Sequence, residues 1–163
     1  MNKIAKFMKV SPEQFAADWE FTATNPYEEL QLPRRGTAGS AGYDFYSPLD
    51  FSLAPGEFIK IPTGIRAKME NGWVLTLYPR SGQGFKYRLQ LYNTVGVIDA
   101  DYFGAANEGH IQIKIVNANE EGKVLSVKKG EAFAQGIFLP FGITVDDDAD
   151  RVRIGGFGST DGR

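Results

Sequence analysis

The segment Gly96-Val97-Ile98-Asp99-Ala100-Asp101-Tyr102 sets a carboxylate directly after two β-branched apolar residues, where a buried strand would carry another apolar side chain. A buried charge is costly unless it is paired, hydrogen-bonded or put to use. Asp99 is therefore either a turn residue closing a strand or a charge that is paired or put to use. Two other segments offer donors. Arg80-Ser81-Gly82 follows an apolar run that Tyr78-Pro79 stops; the arginine fork suits phosphate oxygens, and glycine lets backbone approach a ligand. Near the C-terminus, Gly155-Gly156-Phe157-Gly158-Ser159-Thr160 frees backbone N–H groups to wrap an anion. Ser159, Thr160, Arg151 and Arg153 add donors there, and Phe157 suits a ring that covers a bound base. The same tail also reads as a loose terminus, and both hold if it orders only over ligand. The donors thus cluster in two glycine-bearing segments, an arrangement suited to binding an anion.

Composition narrows the alternatives. The formal charge of −2 argues against a general nucleic-acid binder, and no apolar run is long enough to span a bilayer. The N-terminus lacks the apolar centre of a signal peptide. Without cysteine there is no disulfide, zinc–thiolate site or thiol nucleophile, which permits a reducing cytoplasm. A single histidine, His110, argues against a multi-histidine metal centre. Asp146-Asp147-Asp148 with Asp150 reads as a solvated acidic loop, because consecutive side chains of an extended chain face opposite ways.

The elements that must position these groups are short and mostly β. Phe58–Pro62, Gly64–Lys68, Trp73–Tyr78, Ile111–Val116 and Ala134–Pro140 read as strands, and Ile111-Gln112-Ile113-Lys114-Ile115 alternates as a half-buried strand should. Pro55-Gly56, Asn71-Gly72, Glu121-Gly122 and Lys129-Gly130 are turn signals. This spacing predicts an all-β sandwich or barrel. At the N-terminus, Ser11-Pro12-Glu13-Gln14 has a cap, a proline at the first helical position and a glutamine three residues on. With Phe15 and Trp19 on one face, it predicts a short helix over about 11–20, packed on the domain.

Five separated stretches, in order, resemble the trimeric all-β dUTP nucleotidohydrolases (dUTPases). They are Ala41-Gly42-Tyr43-Asp44-Phe45, Pro79-Arg80-Ser81-Gly82, Asn93 with Gly96 to Gly104, Gly130-Glu131-Ala132-Phe133-Ala134-Gln135, and the glycine-rich tail. The resemblance implies a distorted jelly-roll or β-sandwich at 26–150, an N-terminal extension with the short helix at 1–25 and a flexible C-terminal lid at 151–163. It implies hydrolysis of dUTP to dUMP and pyrophosphate by a homotrimer with shared active sites. In that pattern Asp99 orients and deprotonates the water. The hairpin carrying Asn93, Val97 and Ile98 holds uracil, and Tyr102 packs on the deoxyribose and excludes a 2′-hydroxyl. Arg80, Ser81 and Gly82 bind phosphates from a neighbouring subunit with help from Gln135, Asp44 supports the site indirectly, and Arg153, Phe157, Ser159 and Thr160 close from a third subunit. Mg²⁺ rides on the triphosphate and its waters, with no direct protein ligand.

The chain departs from that pattern in several places. Ala132 stands where the family usually has arginine, so a support there is missing or replaced. Val152, between Arg151 and Arg153, occupies the arginine position of the tail, and either neighbour could supply the contact. Asp161 is inserted into the closing Ser-Thr-Gly. Gly104–His110 is longer than the family norm, and His110 reads as a loop residue. Glu108-Gly109-His110-Ile111 echoes the related dCTP deaminases, but Lys114 stands where their glutamate would be. A regulatory protein that keeps the fold and uses nucleotide as a switch is the alternative of another class.

Overall fold

The computed structural model describes residues 2–151, 153 and 155, so Phe157, Ser159, Thr160 and Asp161 lie outside the described residues. Along the chain run β1 (Ala5–Lys9), α1 (Pro12–Asp18), β2 (Arg34–Arg35), β3 (Tyr43–Tyr46), β4 (Phe51–Leu53), β5 (Phe58–Pro62), β6 (Ile65–Met69) and β7 (Trp73–Tyr78). After them come α2 (Ser81–Tyr87), β8 (Leu89–Leu91), β9 (Gly96–Ile98), β10 (Gln112–Asn117), β11 (Leu125–Val127) and β12 (Ala132–Pro140). The fold is all-β and jelly-roll-like. Its largest sheet has the order β2-β3-β12-β7-β9, and a second has β5-β10-β8; β1 pairs with β6 and β11 with β4. Every pairing is antiparallel.

The expected strands appear, and their side-chain alternation sets which face is wet. On β10, Ile113 and Ile115 are buried while Gln112, Lys114 and Val116 are not. Burying an isoleucine contributes about 1.5–3 kcal/mol. These two join Ile61 of β5, Leu89 and Leu91 of β8, and Phe45, Leu75, Leu77, Ile98 and Phe133 of the larger sheet in one core. The glycines of all four turn pairs, Gly56, Gly72, Gly122 and Gly130, have positive φ, which glycine adopts without steric cost.

The N-terminal helix forms where its cap predicts, with Ser11 Oγ accepting from Gln14 N at 3.1 Å. Gln14 does not reach back to complete a reciprocal cap; it donates to Asp18 instead. The Ser11 N–H is taken by a carboxylate from far along the chain, Glu108 Oε2 at 2.8 Å. Phe15 is fully buried against the rings of Trp19, Tyr27 and His110. A strand ahead of this helix, β1, was not evident from the sequence pattern. It extends the ladder of β6, where Phe7 lies opposite Ala67 and meets the rings of Tyr43, Phe45 and Phe138.

Candidate active site

The larger sheet carries chemistry at both ends of β7. At its C-terminal end, register aligns Asp44 of β3 with Gln135 of β12, and Gln135 with Tyr78 of β7. Two residues beyond Tyr78, Arg80 caps α2, and its Nε lies 3.0 Å from Asp44 Oδ1. Gln135 Nε2 donates to the Pro79 carbonyl at 3.0 Å. This tie needs Gly42, because a Cβ there would overlap Gln135 Oε1. Ser81 and Gly82 form the exposed first turn of α2, whose leading N–H groups have no partner within the helix. Gln83 Nε2 donates to the Ala132 carbonyl at 3.2 Å, which ties α2 to β12.

The carboxylate Asp99 stands at the other end. β9 runs antiparallel to β7 with Ile98 opposite Leu75, so Asp99 lies beside the start of β7. From there to Arg80 is about six extended residues, or about 20 Å of strand. Asp99 is half exposed, and Arg153 Nη1 lies 2.9 Å from its Oδ2 and 3.2 Å from Asp101 Oδ1. The Arg153 guanidinium also lies over the Tyr102 ring, 5.3 Å from its centroid. Arg151 is exposed.

The turn from β8 to β9 lies toward the Arg80 end, since Gly96, which follows it, pairs with Leu77. Asn93 is exposed at its tip and Val97 exposes its side chain, whereas Ile98 is 2% exposed and packs in the core. Ile98 can therefore meet a ligand only through its backbone. Sequence reasoning missed Thr94. Its φ of +71 and the Val95 N to Asn93 O hydrogen bond make it the centre of a γ-turn, a strained geometry for a β-branched residue.

Tyr102 is buried, in a 3-10 turn spanning Ala100–Gly104. Its hydroxyl donates to the His110 carbonyl at 2.8 Å and accepts from Asn107 Nδ2 at 2.8 Å, while burial pushes its phenol pKa up. His110 lies in the loop before β10, as expected, but it is not a surface residue. It is fully buried; Nε2 accepts from the Gly64 N–H at 2.8 Å, and Nδ1 lies 2.5 Å from Asp18 Oδ2. These partners fix the neutral tautomer with the proton on Nδ1. Burial lowers the His110 pKa, with Asp18 and Glu108 opposing. Lys114, the position that a deaminase would fill with glutamate, lies over the rings of Phe58 and Tyr92 at 4.2 and 3.7 Å.

Among the described residues, no group of three or more His, Asp or Glu side chains could hold a metal ion. No helix among them is long and apolar enough to cross a membrane.

A family model described as dUTPase matches residues 28–161. The deoxyuridine 5'-triphosphate nucleotidohydrolase of Lactococcus lactis subsp. lactis (strain IL1403) is 44% identical over 135 residues, covering 80% of this chain and 88% of that protein. That of Nautilia profundicola is 36% identical over 138 residues, 82% of this chain and 92% of its own. Among solved structures, a dUTPase from Streptococcus mutans aligns with a TM-score of 0.64 at 35% identity, over 85% of this chain and 97% of its own. The Staphylococcus bacteriophage 80alpha dUTPase with dUPNHPP aligns with a TM-score of 0.65 over 92% of this chain and 90% of its own; at 20% identity it shares the fold.

Proposed function

Since this chain belongs to the dUTPase family, we propose that it hydrolyses dUTP to dUMP and pyrophosphate at sites shared between the subunits of a homotrimer. In a cytoplasmic setting this keeps uracil out of DNA and supplies dUMP for thymidylate synthesis.

The observation that carries the shared site is the separation of the two chemical ends of β7. Asp99 and Arg80 flank opposite ends of one strand, too far apart to hold the same phosphate group from one chain. A second copy that brings its Arg80, Ser81 and Gly82 to the first copy's Asp99 removes that distance. Exposed apolar side chains support association: Leu139, Phe141, Ile143 and Val145 alternate along the segment that leaves β12. Such a stripe is unfavourable in water and is stabilised by covering it.

In this reading uracil lies in the turn at Asn93, held by that side chain and the backbone of Val97 and Ile98, and the deoxyribose lies on the Tyr102 ring once Arg153, which covers it, has moved aside. Asp99 takes a proton from water as its oxygen bonds to the α-phosphorus. The bond from that phosphorus to the bridging oxygen breaks, and pyrophosphate leaves with the electron pair. Arg80, Ser81 and Gly82 offset its charge, with Gln135 and Asp44 holding Arg80 and its strand in place. Arg153 must leave Asp99 before water can occupy that position, and the phosphates of an arriving substrate give it a competing anion. We propose the 151–163 tail, with Phe157, Ser159 and Thr160, as the lid that excludes bulk water. Mg²⁺ would arrive on the triphosphate and its waters and would offset charge building on the leaving pyrophosphate.

The test is pyrophosphate release from dUTP, dCTP, dTTP and UTP, for the wild type and Asp99→Asn. Release from dUTP alone is expected, reduced by about 10²–10⁴-fold in the variant. Binding of dUTP without release would instead identify a nucleotide-sensing binder.

A further inference from the structure

The N-terminal helix is fastened to the turn that follows Tyr102, and to little else of the site. At its start, Ser11 N and Oγ both donate to Glu108, at 2.8 and 2.6 Å; these bonds hold the Glu108 carboxyl below its ordinary pKa. At its end, Asp18 accepts from His110 Nδ1 at 2.5 Å. The helix thus grips both sides of one turn, Asn107–His110, whose Glu108 and Gly109 have left-handed φ of 58° and 70°.

That turn in turn clasps Tyr102. Asn107 and the His110 carbonyl bind its hydroxyl. The Gly109 backbone packs so tightly that a Cβ would lie 2.6 Å from the Tyr102 carbonyl oxygen and 2.8 Å from Phe103 Cα. From the other side, Arg66 donates to the Phe103 carbonyl at 2.6 Å and stacks on the Phe103 ring at 3.6 Å; its Nη1 lies 3.8 Å from Glu108 Oε2. The Tyr102 hydroxyl and the backbone beside it are thus tied from both flanks.

We propose that the N-terminal segment is a specificity element, with Asp18 and Glu108 acting as positioning residues that fix the Tyr102 ring against the sugar. This rests on the reading above that Tyr102 meets the deoxyribose. Discrimination against a 2′-hydroxyl by contact depends on the ring standing close, and a displacement of about 1 Å is enough to erode such an effect by an order of magnitude or more. A helix that merely stabilised the fold would leave the sugar preference unchanged.

The experiment measures kcat/KM for dUTP and for UTP with wild type, Asp18→Ala and Asp18→Asn. The amide oxygen of the Asp18→Asn variant keeps an acceptor for His110 Nδ1, so this conservative change should rescue. The expected result is a fall of about tenfold in the dUTP-to-UTP ratio for Asp18→Ala, with Asp18→Asn close to wild type. A folded Asp18→Ala protein with the wild-type ratio would overturn the proposal. Should that variant not fold, Glu108→Ala, which removes both Ser11 bonds, gives the same comparison with the same two outcomes, and Glu108→Gln serves as its conservative control. A wild type that hydrolyses neither nucleotide sinks the hydrolase reading separately. The ratio is then read from dUMP against UMP binding by calorimetry, where the same tenfold change supports the proposal and its absence overturns it.

Discussion

The two ends of β7 are built by different means. The Arg80 end is positioned by backbone register: Asp44, Gln135 and Tyr78 fall in one row because three adjacent strands pair there. The Asp99–Tyr102 end hangs on a short 3-10 turn and is held by side chains that come from residues 11–18, 66 and 107–110. A sheet positions groups through many cooperative backbone bonds. A side-chain brace depends on a few bonds, each worth about 1 kcal/mol net and more where a charge takes part. The first end should therefore yield only to changes at the reacting groups or to overpacking, and the second to the loss of one distant partner.

Arg80→Ala is the largest break at the register-built end. Losing a charge-assisted donor costs about 2–3 kcal/mol of transition-state binding, so kcat/KM for dUTP should drop by about 30–150-fold with the thermal midpoint nearly unchanged. Arg80→Lys should recover only part, because an ammonium lacks the fork that meets both Asp44 and phosphate. Gly42→Ala attacks the same end by overpacking. Its Cβ must push the Gln135 amide away from the Pro79 carbonyl, a change of about 1–3 kcal/mol in stability measurable by urea unfolding.

The braced end should respond to pH instead. The folded-state pKa of His110 is lowered by burial, so the unfolded chain binds the extra proton first, and its contribution to stability is full above about pH 6.5. It is lost as pH falls through the folded pKa, because a proton on Nε2 would face the Gly64 N–H donor. The neighbouring Glu108 is lowered too, through its Ser11 hydrogen bonds, and its contribution is lost only below its ordinary value of 4.5. Thermal midpoints between pH 7.5 and 5 thus isolate the histidine, and His110→Gln should flatten the slope that wild type shows there. Thr94→Gly should have the smallest effect. Relief of the positive φ is offset by added freedom in the unfolded chain, for a net gain of up to about 1 kcal/mol in chemical denaturation.

This contrast also explains what could be read from the sequence. The register-built end is made of strands whose alternation shows locally, such as Trp73–Tyr78, and of turns marked by glycines with positive φ. Arg80 stood out because it sits with serine and glycine just after a proline that stops a strand, whereas Asp44 and Gln135 were indicated only by the resemblance to a family. The brace has no local mark. Ser11 and Glu108 are 97 residues apart, and Asp18 and His110 are 92 apart, so each looks like an ordinary cap, a helix-surface acid or a loop histidine. The one hint was the glutamine three residues after Ser11, which pointed to a reciprocal cap that Glu108 in fact supplies. β1 escaped for a related reason: Ala5–Lys9 is only five residues long, and pairing with β6 decides its state.

The claim that the two ends meet across subunits is tested most directly by mixing two defective chains. Asp99→Asn and Arg80→Ala are each expressed alone and then co-expressed or refolded together in equal amounts, and pyrophosphate release from dUTP is measured. If Asp99 of one copy works with Arg80 of another, random assembly leaves about a quarter of the sites with both native groups, and about a quarter of the wild-type rate returns. A mixture no more active than the mean of the two variants would contradict the account and place both groups in a site within one chain.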